Sequence, residues 1–223
     1  MHVDTLHPDT ARLWNRFTHR LCFPGYLLVG GTAVALYLGH RESNDLDFMT
    51  SQPKPANVTI TQIQELDPRF SIISTSDYSV HAALEGVRVS YLWQPGVQLD
   101  PGPRINHISL ASLDTLAALK CNAIANRGAR KDFIDLYALL QSGWDLKHIL
   151  EAAHRHAPSL NIAHLLRSLV YFQDAEIDPM PKLYQPWQWS HVKETLEQTV
   201  HVYLQEQLQS KTPTPPRDFD PTR

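Results

Sequence analysis

Two carboxylates with a single residue between them, Asp45-Leu46-Asp47, follow the glycine pair Gly30-Gly31 at a spacing that suits metal-assisted phosphate chemistry. Side chains alternate faces along a strand, so Asp45 and Asp47 point the same way while Leu46 and Phe48 point into a core. Neighbouring carboxylates repel unless a cation lies between them. Mg²⁺ (or Mn²⁺) suits such a pair, because Mg²⁺ takes hard oxygen ligands at about 2.0–2.1 Å and keeps phosphate oxygens and waters in its other positions. Gly30 and Gly31 let the backbone turn sharply and approach a ligand. The amides of the helix that follows, with the Thr32 hydroxyl, then face a polyphosphate, and the helix dipole favours its charge. Arg41 and Ser43, just ahead of the carboxylates, are placed to bind phosphate oxygens; Arg41 is equally suited to pair with an acidic neighbour. A lone Gly-Gly is most often a tight turn and a lone Asp-x-Asp a solvated strand edge. Joined in this order behind an apolar strand, they describe a site for moving a nucleotide from a metal-bound nucleoside triphosphate (NTP).

The elements that must hold these groups follow from periodicity. Leu13, Trp14 and Phe17 at helical spacing predict an amphipathic helix over 8–21, with Asp9 or Thr10 as its cap and Pro24-Gly25 beyond its end. A strand at 26–29, a short helix at 32–38 and a strand at 46–50 carry the glycines and the carboxylates. A helix over 59–66 and strands at 70–74, 78–84 and 87–93 come next, the last two joined at Glu85-Gly86 as a hairpin. After the Pro- and Gly-containing stretch 95–103 the pattern turns helical, with helices at about 112–128, 131–141, 145–156, 161–171 and 190–207. Strands first and helices afterwards predict an α+β fold, a mixed sheet flanked by helices and followed by a C-terminal helical subdomain. The expected division is 1–104 for the core, 105–210 for a helical subdomain that completes the site, and 211–223 for a disordered tail.

A second group of candidates lies in the helical half. Lys120 sits in the apolar run Leu116–Ile124, either as a snorkelling stem or as an ammonium aimed at a triphosphate or its departing pyrophosphate. Asp132 and Asp135, three apart, share one helix face. Either completes the metal site, activates a hydroxyl, or simply complements the helix dipole. Arg127, Arg130 and Lys131 form a basic patch beside them.

The 223 residues, 43% hydrophobic, suffice for a substantial core without disulfides, and Cys22 and Cys121 read as buried thiols. A net charge of -3 argues against indiscriminate nucleic-acid binding. No run approaches the ~20 apolar residues of a membrane span, and no export signal opens the chain, so a soluble cytoplasmic protein is expected. A zinc site at His148, His154 and His156 is disfavoured, since His154 and His156 do not share a helix face and no cysteine pair accompanies them; scattered surface histidines are expected. The aromatic run Tyr184, Trp187 and Trp189 either covers the core or forms a contact.

The stretches Val29–Phe48, Arg127–Leu140 and Leu166–Ala175 resemble the AbiEii/AbiGii toxin family of nucleotidyltransferases, within the wider polymerase-β-like superfamily. The resemblance implies an enzyme of phage-defence or toxin–antitoxin type. Such an enzyme moves a nucleoside monophosphate from an NTP to an RNA acceptor, such as the 3′ end of transfer RNA, or to a protein, and a cognate antitoxin is the implied partner. It implies phosphate contacts for Gly31 and Thr32, metal ligands in Asp45 and Asp47, and active-site roles for Lys120 and Asp132, Asp132 being assigned over Asp135. The third strand carboxylate of polymerase-like members has no counterpart in Val87–Trp93, whose outward residues are Arg88, Ser90 and Leu92; a serine in this strand is common in the AbiEii-like group. Three consequences stay open: Asp132 replaces that ligand, the second metal binds weakly, or the chain is a catalytically weak or inactive nucleotide- or partner-binding module.

Overall fold

The computed structural model describes residues 1–19 and 24–211. Cys22 and the expected tail from Thr212 onward lie outside them. Seven strands form one mixed sheet: β1 (Tyr26–Val29), β2 (Leu46–Thr50), β3 (Ser71–Ser76), β4 (Ser79–Leu84), β5 (Val87–Trp93), β6 (Pro101–Ile105) and β7 (Ile108–Ala111). Their spatial order is β3-β4-β5-β2-β1-β7-β6. The centre pairs β1 antiparallel with β2, β2 parallel with β5 and β1 parallel with β7. The α-helices among the described residues are α1 (Pro8–Thr18), α2 (Gly30–Leu38), α3 (Ala56–Leu66), α4 (Leu113–Asn126), α5 (Arg130–Gln141), α6 (Leu146–His156), α7 (Ile162–Ser168) and α8 (Trp189–Lys211).

Strand alternation decides what each sheet face does. Leu46, Phe48, Val89 and Tyr91 are buried on one face, which packs Phe48 against Phe17 of α1 at 6.1 Å and against Tyr91 at 5.4 Å. Tyr26 Oη meets Thr59 Oγ1 of α3 at 3.0 Å, so α3 covers the same side. The opposite face, carrying Asp47, Ser90 and His81, floors a cavity whose wall includes Leu116, Leu119 and Lys120 of α4. α2 runs straight off β1, is buried from Thr32 to Leu36 and stops at Gly39 in the left-handed region.

The hairpin of β6 and β7 departs from the sequence reading. Pro101, Gly102 and Pro103 disguise β6, yet proline is tolerated on an edge strand because the missing N–H would only face solvent. The sheet therefore continues to Ala111, and the division expected between 104 and 105 falls inside a hairpin. The apolar packing changes hands later: one buried cluster runs from Leu6 to Leu116, a second from Ala117 to Val200. The first helix is capped by His7 rather than by Asp9 or Thr10, with Pro8 opening the helix.

Two smaller readings are settled by packing. Trp187 packs edge-on to Tyr137 at 4.9 Å and Trp189 to Phe172 at 5.7 Å, so these two cover the second core, whereas Tyr184 stays exposed. His156 is buried, not on the surface, because Nδ1 hydrogen bonds to the Gln98 carbonyl oxygen at 2.9 Å and ties the loop before β6 to α6. Cys121 is buried, and burial pushes its thiol up to about 12. Among the described residues no helix is long and apolar enough to cross a membrane.

Candidate active site

The two glycines at the start of α2 serve different neighbours. Gly30 has φ +72°, and a Cβ there would stand 2.6 Å from Asp47 Oδ2. Only glycine lets the strand-to-helix corner close against that carboxylate. At Gly31 a Cβ would collide with Arg41 Nη2 and lie 3.5 Å from Asp135 Oδ2. This second glycine makes room for an ion pair packed against the helix start.

Asp47 pairs in register with Val29 of β1, and Asp45 stands one residue ahead of β2. The loop that delivers them is tied down from behind: Thr32 Oγ1 donates to the Asp45 carbonyl oxygen and meets Ser43 Oγ at 2.7 Å, and Thr10 Oγ1 donates to the Asn44 carbonyl oxygen at 2.6 Å. Thr32 and Ser43 are therefore buttresses of the carboxylates, with their hydroxyls engaged in the loop. Burial, then the charge of Asp47, raise the Asp45 carboxyl above its ordinary value, with Lys131, Arg88 and Arg41 pulling the other way. Among the described residues no lysine, arginine or histidine forms an ion pair with either carboxylate, and no third carboxylate, histidine or cysteine completes a metal-binding group with them. An uncompensated acidic pair of this kind fits a divalent cation that draws its remaining oxygens from phosphate and water.

The second acidic pair has a different environment. Asp132 and Asp135 are fully buried. Lys120 Nζ lies 2.8 Å from Asp132 Oδ1 and 2.5 Å from Asp135 Oδ2. Arg41 grips Asp135 with two parallel bonds, Nε to Oδ1 at 2.6 Å and Nη2 to Oδ2 at 2.9 Å. His40 Nε2 adds a further donor at 2.8 Å, the carboxylate being an acceptor. Arg127 closes on Asp132 through Nε at 2.9 Å. Burial alone would raise both carboxyls; Lys120 and Arg127 hold Asp132 below the usual range, and Arg41 and Lys120 hold Asp135 well below it. Burial opposes the charge on Lys120, and its two aspartates override it. Lys120 and Arg41 balance the two aspartates charge for charge, and Arg127 leaves the group positive at the cavity wall.

Gly30, Gly31, Asp45, Asp47, Lys120 and Asp132 line one cavity of about 640 Å³, so the glycine corner, the strand carboxylates and the helical half converge. Thr32, Arg41 and Ser43 line a smaller space of about 370 Å³ behind the same carboxylates. Arg41, suited by sequence to either partner, takes the acidic one. Of the two helical aspartates, Asp132 reaches the cavity and Asp135 lies behind it, binding Arg41, His40 and Lys120.

One cavity residue, His81, escapes a reading of the motifs, and two that the sequence marks only as an outward strand residue and a member of a basic patch, Arg88 and Lys131, gain a place in the cavity. Arg88 and Lys131 line the cavity, act electrostatically on Asp45 and form no ion pair among the described residues, which makes them the free cations there. His81 of β4 lies beside Ser90 of β5, which lies beside Asp47 of β2, in one row across three strands. The outward alternation of β5 signals Arg88; nothing local signals His81, because strand pairing alone brings it there.

Comparison with known proteins gives the family and the fold. A family model described as "Nucleotidyl transferase AbiEii toxin, Type IV TA system" matches residues 12–210. An uncharacterized protein of Aquifex aeolicus (strain VF5), aq_aa25, is 33% identical over 186 residues, 81% of this chain and 88% of that protein. Among solved structures, JHP933 from Helicobacter pylori aligns over 89% of this chain and 93% of its own at 18% identity and a TM-score of 0.51. A putative nucleotidyltransferase from H. pylori aligns over 91% and 96% at 16% identity and a TM-score of 0.52. These two share the fold.

Proposed function

The chain belongs to the AbiEii nucleotidyltransferase toxin family, and from that premise we propose that it moves a nucleoside monophosphate from a Mg²⁺-bound NTP to the 3′ end of an RNA, under the control of a cognate antitoxin. The observation that carries this reading is the uncompensated pair Asp45 and Asp47, closed against Gly30 and facing a cavity with two free cations. Asp45 and Asp47 hold the divalent ion. When bound, that ion supplies Lewis-acid polarisation of the phosphate oxygens and a template for in-line attack.

The chain's own residues do the rest. Arg88 and Lys131 bind the β- and γ-phosphate oxygens, and the amides at the start of α2 add donors and a favourable dipole. Lys120 contributes as a fixed part of the buried network, whose net positive charge faces the polyphosphate, and not as a mobile ammonium. Thr32 and Ser43 hold the Asp45 loop at its working height.

The test is incubation with each radioactive NTP in turn, Mg²⁺ and either total cellular RNA or total cellular protein. Label from one NTP in the RNA pool is the expected result, and its loss in Asp47→Asn assigns it to this site. Label confined to the protein pool would replace the RNA acceptor with a protein one. No label in either pool would remove the proposal.

A further inference from the structure

Nucleotidyl transfer releases a proton from the attacking hydroxyl, and the acids of the cavity are already committed. Asp45 and Asp47 are the residues that would hold the cation, and both oxygens of Asp132 are taken by Lys120 and Arg127. The place beside Asp47 on the next strand is held by Ser90, in register with it. Ser90 Oγ lies 3.1 Å from Nδ1 of His81, its register partner on β4, and both residues line the cavity. A hydroxyl within hydrogen-bond reach of an imidazole is the arrangement that passes a proton on.

We infer that Ser90 and His81 form a two-step proton relay beside Asp47. The inference rests on the transfer reaction proposed above. As the acceptor oxygen bonds to the α-phosphorus, its proton passes to Ser90 Oγ, and the proton of Ser90 passes to His81 Nδ1. The bond from the α-phosphorus to the bridging oxygen of the β-phosphate breaks, and pyrophosphate leaves with that electron pair. His81, only partly buried, then returns the proton to solvent. Nδ1 must begin unprotonated, so the resting tautomer carries its hydrogen on Nε2. Ser90 touches the reacting hydroxyl; His81 acts through it.

Transfer of label from the NTP to the RNA pool provides the rates, and histidine-ring ¹⁵N NMR reads the hydrogen bond without any substrate. His81→Ala and Ser90→Ala are each expected to lower kcat about 100-fold, leaving KM for the NTP and the melting temperature unchanged. His81→Asn, which keeps the size but not the basicity, should behave like His81→Ala. Adding Ser90→Asp to His81→Ala should recover most of the lost rate, because a carboxylate beside Asp47 takes the proton itself. In the NMR spectrum the Nδ1 signal should report an accepted hydrogen bond that Ser90→Ala removes. Full activity in His81→Ala, a defect confined to KM, a folded double variant without recovery, or nucleotide label on Ser90 itself would each overturn the relay. An active wild type with an unaffected His81→Ala sinks this inference alone; an inactive wild type sinks the transfer reading with it.

Discussion

Two pairs of aspartates stand at the centre of this molecule, and they differ in almost everything except residue type. Asp45 and Asp47 lie two apart at the start of a strand, half-buried, with no ion-pair partner among the described residues and with the Asp45 carboxyl pushed up. Asp132 and Asp135 lie three apart on a helix, fully buried, with Lys120, Arg41, Arg127 and His40 around them and with both carboxyls pulled down. The first pair is held in a state that a divalent cation would relieve. The second is already neutralised, so its work is to join α5 to α4 and to the loop after α2. A charged cluster near a cavity is thus not automatically chemistry; what remains unpaired is the better guide.

The comparison breaks most visibly through stability. Asp135→Ala leaves Arg41 and Lys120 buried with one acid fewer, and the expected cost is about 3–5 kcal/mol, measured by urea unfolding. Asp47→Asn should lower label transfer about 10²–10³-fold while leaving the unfolding midpoint unchanged or slightly raised, because a like charge is removed. If both variants lost stability equally, the two pairs would not be distinct.

Gly30→Ala sharpens the same contrast from the backbone side. A side chain at φ +72° and 2.6 Å from Asp47 Oδ2 should cost about 1–3 kcal/mol and displace that carboxylate, so activity and stability fall together. The smallest effect is in pH dependence. The native carboxyls of Asp132 and Asp135 lie below the unfolded value of about 3.9, so their stabilisation is complete above that pH and is lost as pH falls through the lower native values. The stability gap between wild type and Asp135→Ala should therefore narrow below about pH 4. Asp45 has the opposite sign: its raised carboxyl lets protons compete with a cation at a higher pH than for an ordinary aspartate.

Much of this was open to inspection in the chain itself. Strand alternation places Leu46 and Phe48 inward and the aspartates together, and Ser112, whose hydroxyl accepts from the Thr115 amide at 3.2 Å, marks the start of α4. What local patterns do not carry is pairing between distant segments. Arg41 and Asp135 are 94 residues apart, and nothing near either names the other. The β6 strand hides behind its prolines, since edge position is a property of the sheet. His81 is an ordinary residue of an alternating strand until β5 sets it one place from Ser90 and two from Asp47.

The central claim is that Asp45 and Asp47, and not Asp132 and Asp135, hold the divalent ion. Mn²⁺ titration of the NTP-loaded protein, followed by electron paramagnetic resonance, tests it directly. Binding that Asp45→Asn and Asp47→Asn each abolish, and that a folded Asp132→Asn retains, is the predicted result; binding that survives loss of the strand carboxylates and vanishes with Asp132 would contradict it.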